Sequence, residues 1–461
     1  MANKNLLTYN SRVTQVEQAY FAPVATLPSP VPIPISTIYC FLSRIDPWTS
    51  EIAPPTPTND QKYLKTVFKN IFIAKKITTN DISPVIERHD WVSGTVYDYY
   101  QDDIDMFAVD GSGLLVKHFY VRNKFDQVFK CLWNNNGAPS TIEPFFQPGT
   151  YGTNNIFFGA DGYKWKYIYT IDVGIKTKFM DNNWIPVPVG GNTPGPVFDA
   201  NGNQVGLWAG SIDVINVING GSNYDPTLAP ITVTITGDGT GAEASVVVQN
   251  GQITNVVVVK PGSNYSYANV SITSSLGSGV VVTAPVSPIG GHGFDPVSEL
   301  GCSRVMFTTE FKGDENGYIP TDIDYRQVGL LINPSTLSSW PIPAEGDIYK
   351  ATTDLVVASG FGVYTNDEIV YQGDNIDNAT FSAHVVSFDA ASNVIKLINI
   401  SGTPSLNSPV FGNNSKTVRT LLNYSTPDFL PFSGYLAYIE NREAIQRSSD
   451  GIEQFKFVLG Y

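Results

Sequence analysis

Two stretches near the start of the chain repeat their apolar residues at helical spacing. In residues 10–20, Val13, Val16, Ala19 and Tyr20 share a side; in residues 60–74, Tyr63, Leu64, Val67, Phe68, Ile71 and Phe72 recur at i, i+1, i+4, i+5, i+8 and i+9. The second spacing makes one apolar stripe and predicts an amphipathic helix, with Thr58 or Asn59 placed to cap its first turn. Between the two stretches, Pro23, Pro28, Pro30, Pro32 and Pro34 predict an extended arm poor in backbone hydrogen bonds.

From about residue 86 the period changes to that of short strands, and helix is expected to be nearly absent. Asn-Gly or Asp-Gly pairs begin at Asp110, Asn136, Asp161, Asn201, Asn219, Asp238, Asn250, Asn316 and Asp450; such pairs tolerate positive φ and mark hairpin or loop tips. Asn250-Gly251, flanked by β-branched runs, is the clearest two-residue hairpin. Around it lies a degenerate repeat: IDVINVINGGSNY at 212–224 and ITNVVVVKPGSNY at 253–265 superpose at a shift of 41 positions. VTIT at 233–236 answers VSIT at 270–273, and Gly239-Thr240-Gly241 answers Gly277-Ser278-Gly279. The two copies predict one packed β module over 210–288.

A second β unit is expected over 347–414, with strands at 368–371, 381–388 and 394–400, forming a small barrel or sandwich. Phe381, Ala383, Val385 and Ser387 alternate with Ser382, His384, Val386 and Phe388, so one side is only partly polar and suits a place beside a neighbouring sheet. At the C-terminus, 435–439 and 444–447 read as strands about a tight turn at Glu440-Asn441-Arg442. After a turn at 448–451, residues 452–459 complete a terminal hairpin buried on one face. The whole predicts a mainly β protein: a β-sandwich core, a few helices near the N-terminus, and two inserted small β modules.

Composition narrows the function. Apolar residues are 42% and charged residues 15%, with 40 Gly and 31 Pro in 461 residues, which fits a folded, turn-rich chain rather than a coiled coil or a polyelectrolyte. A formal charge of −14 opposes nucleic-acid binding. Lys164, Lys166, Lys176 and Lys178 are spread among hydrophobic residues and read as a solvated face. No stretch is apolar enough to span a bilayer, and residues 1–20 are polar without an apolar h-region, so export by a standard signal is not expected. Cys40, Cys131 and Cys302 are far apart and read as free buried thiols.

Catalytic patterns are missing. His89, His118, His292 and His384 show no metal-ligand spacing, there is no Walker loop and no G-x-S-x-G elbow, and the acids at 98–105 and at Asp322 and Asp324 lack the spacing of a calcium loop. Gly290-Gly291-His292-Gly293 reads as a linker. No catalytic residue, cofactor or metal is expected.

Five strings, in order along the chain, resemble the baseplate wedge subunit of T-even-type contractile-tailed phages, the gene product 8 family. They are Ser43-Arg44-Ile45-Asp46-Pro47-Trp48-Thr49-Ser50 with the prolines that follow it, Val85 to Trp91, Asp161 to Tyr167, Tyr325-Arg326-Gln327 through Pro334, and Tyr438 to Arg442. The family pattern is matched over 1–209, 289–346 and 415–461, with 210–288 and 347–414 as insertions. This divides the chain into an N-terminal helix and arm region at 1–85, a sandwich core at 86–209, 289–346 and 415–461, and the two modules. His89 stands where a second arginine is expected.

The resemblance implies a virion protein of the tail baseplate, made in the bacterial host cytoplasm. It implies a homodimer that contacts other wedge subunits and moves as a rigid body on contraction. It points to Arg44, Pro47, Trp48, Arg88, Asp90, Trp91, Tyr163, Trp165, Arg326, Glu440, Asn441 and Arg442 as residues that fix loops or anchor an interface, where Trp and Arg are enriched. The alternative is a glycan-binding or glycan-cleaving tail component that uses the module turns, with Tyr224 and Tyr265 as stacking platforms.

Overall fold

The computed structural model describes residues 9–21, 37–44, 46–148, 155–190, 196–198, 204–207, 210–315, 317–338, 340 and 342–461. The proline arm and the Asn201 and Asn316 turns fall wholly or partly outside them. Strand dominates, with four α-helices among the described residues, and the protein is mainly β. The chain divides into two compact units, Met1–Ala19 with Ser83–Met306 and Val458–Tyr461, and Tyr20–Ile82 with Phe307–Phe457.

In the first unit, helix Tyr9–Phe21 buries Val13 and Val16. A four-stranded antiparallel sheet runs in the order Tyr120–Arg122, Gln127–Trp133, Lys164–Thr170, Ile156–Phe158. Every residue of Gln127–Trp133 is buried. On one face Tyr97, Val121, Phe129, Cys131, Tyr163 and Trp165 form a core. Two further helices, Val173–Phe179 and Pro296–Glu299, lie outside the N-terminal region.

The repeat module belongs to this unit, and each strand of one copy pairs with a strand of the other. Asn216–Ser222 pairs with Ser278–Thr283, Thr232–Gly237 with Ala268–Thr273, and Thr240–Gln249 with Gln252–Ser263. The pattern has internal twofold symmetry. Ile215 bridges Val256, its own equivalent at the 41-residue shift, and Thr234 faces Ser271, its equivalent in the VTIT and VSIT strands. Gln249 faces Gln252 across Asn250-Gly251, both at positive φ as a two-residue primed turn requires. Asn219-Gly220, in contrast, lies inside a strand beside a bulge and is not a tip.

In the second unit, a five-stranded sheet runs in the order Ile348–Lys350, Ile71–Ile77, Ile38–Ser43, Asp324–Ile332, Tyr435–Gln446. Helix Gln61–Asn70 is capped by the Asp60 side chain, which accepts from the Tyr63 amide, rather than by Thr58 or Asn59. The helix ends at Asn70 and the chain passes directly into strand Ile71–Ile77, so Ile71 and Phe72 are strand residues. Ile71 joins Tyr39, Phe41, Val67 and Leu331 in a core that forms only when helix and sheet meet. Such tertiary burial overrides a helical periodicity carried past its end.

The second module is a closed six-stranded barrel, in the order Thr353–Val357, Val394–Gly402, Phe381–Asp389, Ile369–Gln372, Pro409–Gly412, Val418–Ser425. Phe381, Ala383 and Val385 point into its core with Leu355, Val370, Ile395, Leu397 and Leu421. A register shift between Val385 and Ser387 breaks the alternation, and Val386 is buried as well. The barrel spans 353–425: Ile348–Lys350 pairs with Ile71–Ile77 instead, and Val418–Ser425, placed by the sequence reading in the core, closes the ring on Thr353–Val357.

No turn interrupts Glu440-Asn441-Arg442. Tyr435–Gln446 is one strand along Asp324–Ile332, with a register shift between Tyr325 and Gln327 that lets the extra residues bulge. Nor is there a terminal hairpin, because Ile452–Gly460 joins a different sheet, beside Arg304–Lys312.

Candidate functional site

The twelve residues singled out by sequence fall into two clusters, one in each unit. In the second unit, four segments distant in sequence converge. Arg44 is buried and grips the Asp367 carboxylate through Nε and Nη2, both at 2.7 Å, while Nη1 donates to the Asp324 carbonyl at 3.0 Å. Arg326, also buried, pairs through Nη1 with Asp324 at 2.9 Å and through Nε with Glu51 at 2.8 Å. Glu51 accepts from the amides of Trp48 and Ala444. The Trp48 indole donates to the Arg442 carbonyl at 2.7 Å.

Asn441 completes this cluster: its Oδ1 accepts from Tyr63 and Gln327, and its Nδ2 donates to the Pro55 carbonyl at 2.7 Å. Glu440 pairs with Arg442 at 3.0 Å and accepts from Tyr438, and the Arg442 guanidinium lies over the Phe455 ring. Pro47 is exposed in the loop that this network holds. The arginines are therefore matched by carboxylates, which makes burial of their charge tolerable. The network fixes the 46–51 loop and, through Asp367, the barrel.

The first-unit cluster has a similar logic. Arg88 forks onto Asp90, with Nε at 3.0 Å and Nη2 at 2.7 Å, and Nη1 donates to the Asp181 carbonyl. The second guanidinium on Asp90 comes from Arg122, at 2.7 Å, which also holds Asp126. Burial would raise the Asp90 carboxyl, but the hydrogen bonds from Arg122 and Arg88 outweigh it and hold the pKa at about 2. His89 takes no arginine role. Its ring packs on His118 and Tyr120, with centroids 4.4 and 5.1 Å away, and burial with the neighbouring His118 pushes its pKa to about 4. Trp91 donates to Ser140 at 3.0 Å, and Tyr163, stacked on Trp165, donates to the Ala138 carbonyl at 2.6 Å.

The solvated lysine face of the sequence reading is corrected at two positions. Lys164 and Lys166 are buried, on the same side of the sheet as Lys130, which faces Lys166 across paired strands. Lys164 donates to the Ile215 carbonyl of the repeat module at 2.7 Å, and burial lowers its pKa to about 8. Nor is His292 part of a linker. Lys130 Nζ lies 3.1 Å from Glu299 Oε1, and His292 Nδ1 lies 2.9 Å from the same oxygen; all three side chains are buried. The Gly293 amide donates to Oε2. Burial alone would raise the Glu299 carboxyl, but Lys130 and His292 bring it to about 2. No motif spacing announces this cluster: its members are 130, 292 and 299, joined by folding alone. A cavity of about 420 Å³ opens beside it.

Tyr224 and Tyr265 are not surface platforms. Both are buried in the module core, at 2% and 6% exposure. The Cα positions of Gly277 and Gly239 lie against the two rings, where an added Cβ would come within 2.3 and 2.4 Å. Cys40, Cys131 and Cys302 are free and buried.

Exposed apolar side chains gather in the second unit. Leu337, Trp340 and Ile342 lie in one loop, Phe432 lies in another, and Tyr435 opens the strand that follows it, with Trp340 68% exposed. Ser335 joins the loops, donating its amide to Ser433 and accepting from the Leu430 amide. Neither 335–344 nor 429–439 contains a charged residue. In sequence comparison the chain matches no protein-family model, and no curated protein matches it.

Proposed function

We propose that this chain is a structural subunit of the baseplate wedge of a contractile phage tail, acting by assembly with a second copy of itself and with other wedge subunits. It works through geometry, as a rigid body whose contacts rearrange on contraction. The observation that carries the reading is the exposure of Leu337, Trp340, Ile342, Phe432 and Tyr435 on two segments joined through Ser335, an apolar group that a partner surface would cover. On a chain of charge −14, these uncharged loops are where two copies meet with least repulsion. The collinear strings support the same reading, since Arg44, Trp48, Arg326, Asn441 and Arg442 converge on one network.

The test is the solution mass of the purified full chain and of Trp340→Asp, by light scattering. The wild type is expected at twice the chain mass and the variant at the chain mass, with an unchanged melting temperature. A monomeric wild type, or a variant that still dimerises, overturns the patch as the self-interface. Mixing the wild type with wedge subunits of a contractile tail then tests the wider assembly, where failure to co-migrate with any of them counts against it.

A further inference from the structure

Docking to other subunits makes no use of the buried cluster of Lys130, His292 and Glu299. Lys130 sits in strand Gln127–Trp133 and Glu299 ends helix Pro296–Glu299, 169 positions further on, so the repeat module lies between them in the chain. The side chains of Lys130 and His292 are 1% exposed and that of Glu299 3%. Lys130 Nζ lies 3.1 Å from Glu299 Oε1. His292 Nδ1 reaches both groups at once, 2.9 Å from that oxygen and 3.3 Å from the lysine nitrogen. The other carboxyl oxygen, Oε2, accepts from the Gly293 amide.

Each of these contacts has a chemical counterpart. An amine held against a carboxyl group is a nucleophile held against an electrophile. A ring nitrogen within reach of both can take a proton from one and give it to the other. An amide N–H on the oxygen that stays behind stabilises the charge that develops there. At rest Lys130 and Glu299 form an ion pair, but burial acts against both charges. The uncharged form, an amine facing a carboxylic acid, is one proton shift away along the same contact. Aromatic rings close the site: Tyr100 lies over Nζ, 4.0 Å from the centroid, and meets the His292 ring edge-on, with Phe119 on the same lysine. The cavity of about 420 Å³, lined by Lys130 and Glu299, has room for a departing water.

We propose that Lys130 and Glu299 join in an isopeptide bond that the folded chain forms by itself. The lysine nitrogen attacks Glu299 Cδ, a C–N bond forms and the Cδ–Oε1 bond breaks. Two protons leave the ammonium nitrogen, one directly to Oε1 and one through His292, and both depart with Oε1 as water; nothing is oxidised or reduced. The product is a covalent staple that closes the chain around residues 210–288, and it is independent of the assembly reading.

The experiment follows the intact mass of the full chain from cell lysis onward, with peptide mapping of the product. The wild type is expected to be lighter than its sequence by one water and to yield a branched peptide joining the Lys130 segment to the Glu299 segment. Lys130→Met with Glu299→Leu replaces the buried pair by apolar groups of similar size, a change that such sites commonly tolerate, and should keep its full mass. His292→Gln should slow the cross-link on the order of 100-fold, a kinetic effect that a purely structural histidine does not give. A folded wild type of full mass, a lost water without the branched peptide, or a His292→Gln chain that cross-links at the wild-type rate overturns the proposal.

Discussion

The Trp48 indole nitrogen donates to the backbone carbonyl of Arg442 at 2.7 Å, across 394 positions of sequence. That bond ties the loop after one inner strand to the bulge of an edge strand in the same sheet. Trp48→Phe keeps an aromatic ring and loses the donor, so it should cost about 1 kcal/mol in chemical denaturation. Arg44→Met removes the two 2.7 Å charge-assisted bonds to Asp367, which is 53% exposed and regains water, and should cost about 2 kcal/mol. Equal costs for the two would mean that the charge pairing carries no more than the single neutral bond.

Acid should weaken the first unit in a defined window. The folded His89 imidazole stays neutral down to about pH 4, whereas its ordinary pKa is 6.5. Between those values the unfolded chain binds the proton and the folded one does not, so stability falls as pH drops from about 6.5 to about 4. The full effect is at most about 3 kcal/mol. His89→Phe keeps the ring contact and should flatten this part of the curve of Tm against pH. Asp90 adds a second loss at lower pH, below the ordinary carboxylate range and down to about 2, because its folded carboxylate resists protonation.

Lys164 carries the same sign into the alkaline range. Its folded pKa is about 8 against an ordinary 10.5, so the unfolded chain holds one more proton between these values and stability gains as pH rises through them. Lys164→Met removes the titration. The stability difference between wild type and variant should therefore shift in favour of the wild type from pH 8 to 10; a difference independent of pH would place the lysine in water.

The module's internal symmetry predicts paired costs. Gly277→Ala drives a methyl group into the Tyr224 ring and Gly239→Ala drives one into Tyr265. Each should destabilise the module by about 1–3 kcal/mol, and the two should be alike in limited proteolysis of 210–288. If one is silent, the copies do not share one packing.

Much of the architecture is legible in the residues. Period-two patterning and the Asn-Gly and Asp-Gly pairs give the β class, and Asn250-Gly251 gives its hairpin because the turn depends only on local φ preferences. The 41-residue shift reveals two copies but not their pairing: each strand joins the other copy, a choice made by burying Ile215, Val256, Tyr224 and Tyr265 together. Residues 440–442 look like a turn because Glu, Asn and Arg are polar. Their side chains are instead satisfied by Tyr438, Tyr63, Gln327 and Pro55, and by pairing with one another, so the strand runs on.

By itself, then, the sequence determined the mainly β class, the repeat, the presence of an amphipathic helix in the second unit, though neither its cap at Asp60 nor its end at Asn70, and the tight hairpin. Tertiary structure alone decided that Lys130, Lys164 and Lys166 are buried, that His292 and Glu299 meet beside a cavity, and that Val418–Ser425 closes the barrel. The cost of burying a charge, and the strand that satisfies an open edge, depend on groups brought from far along the chain, and no local pattern records them.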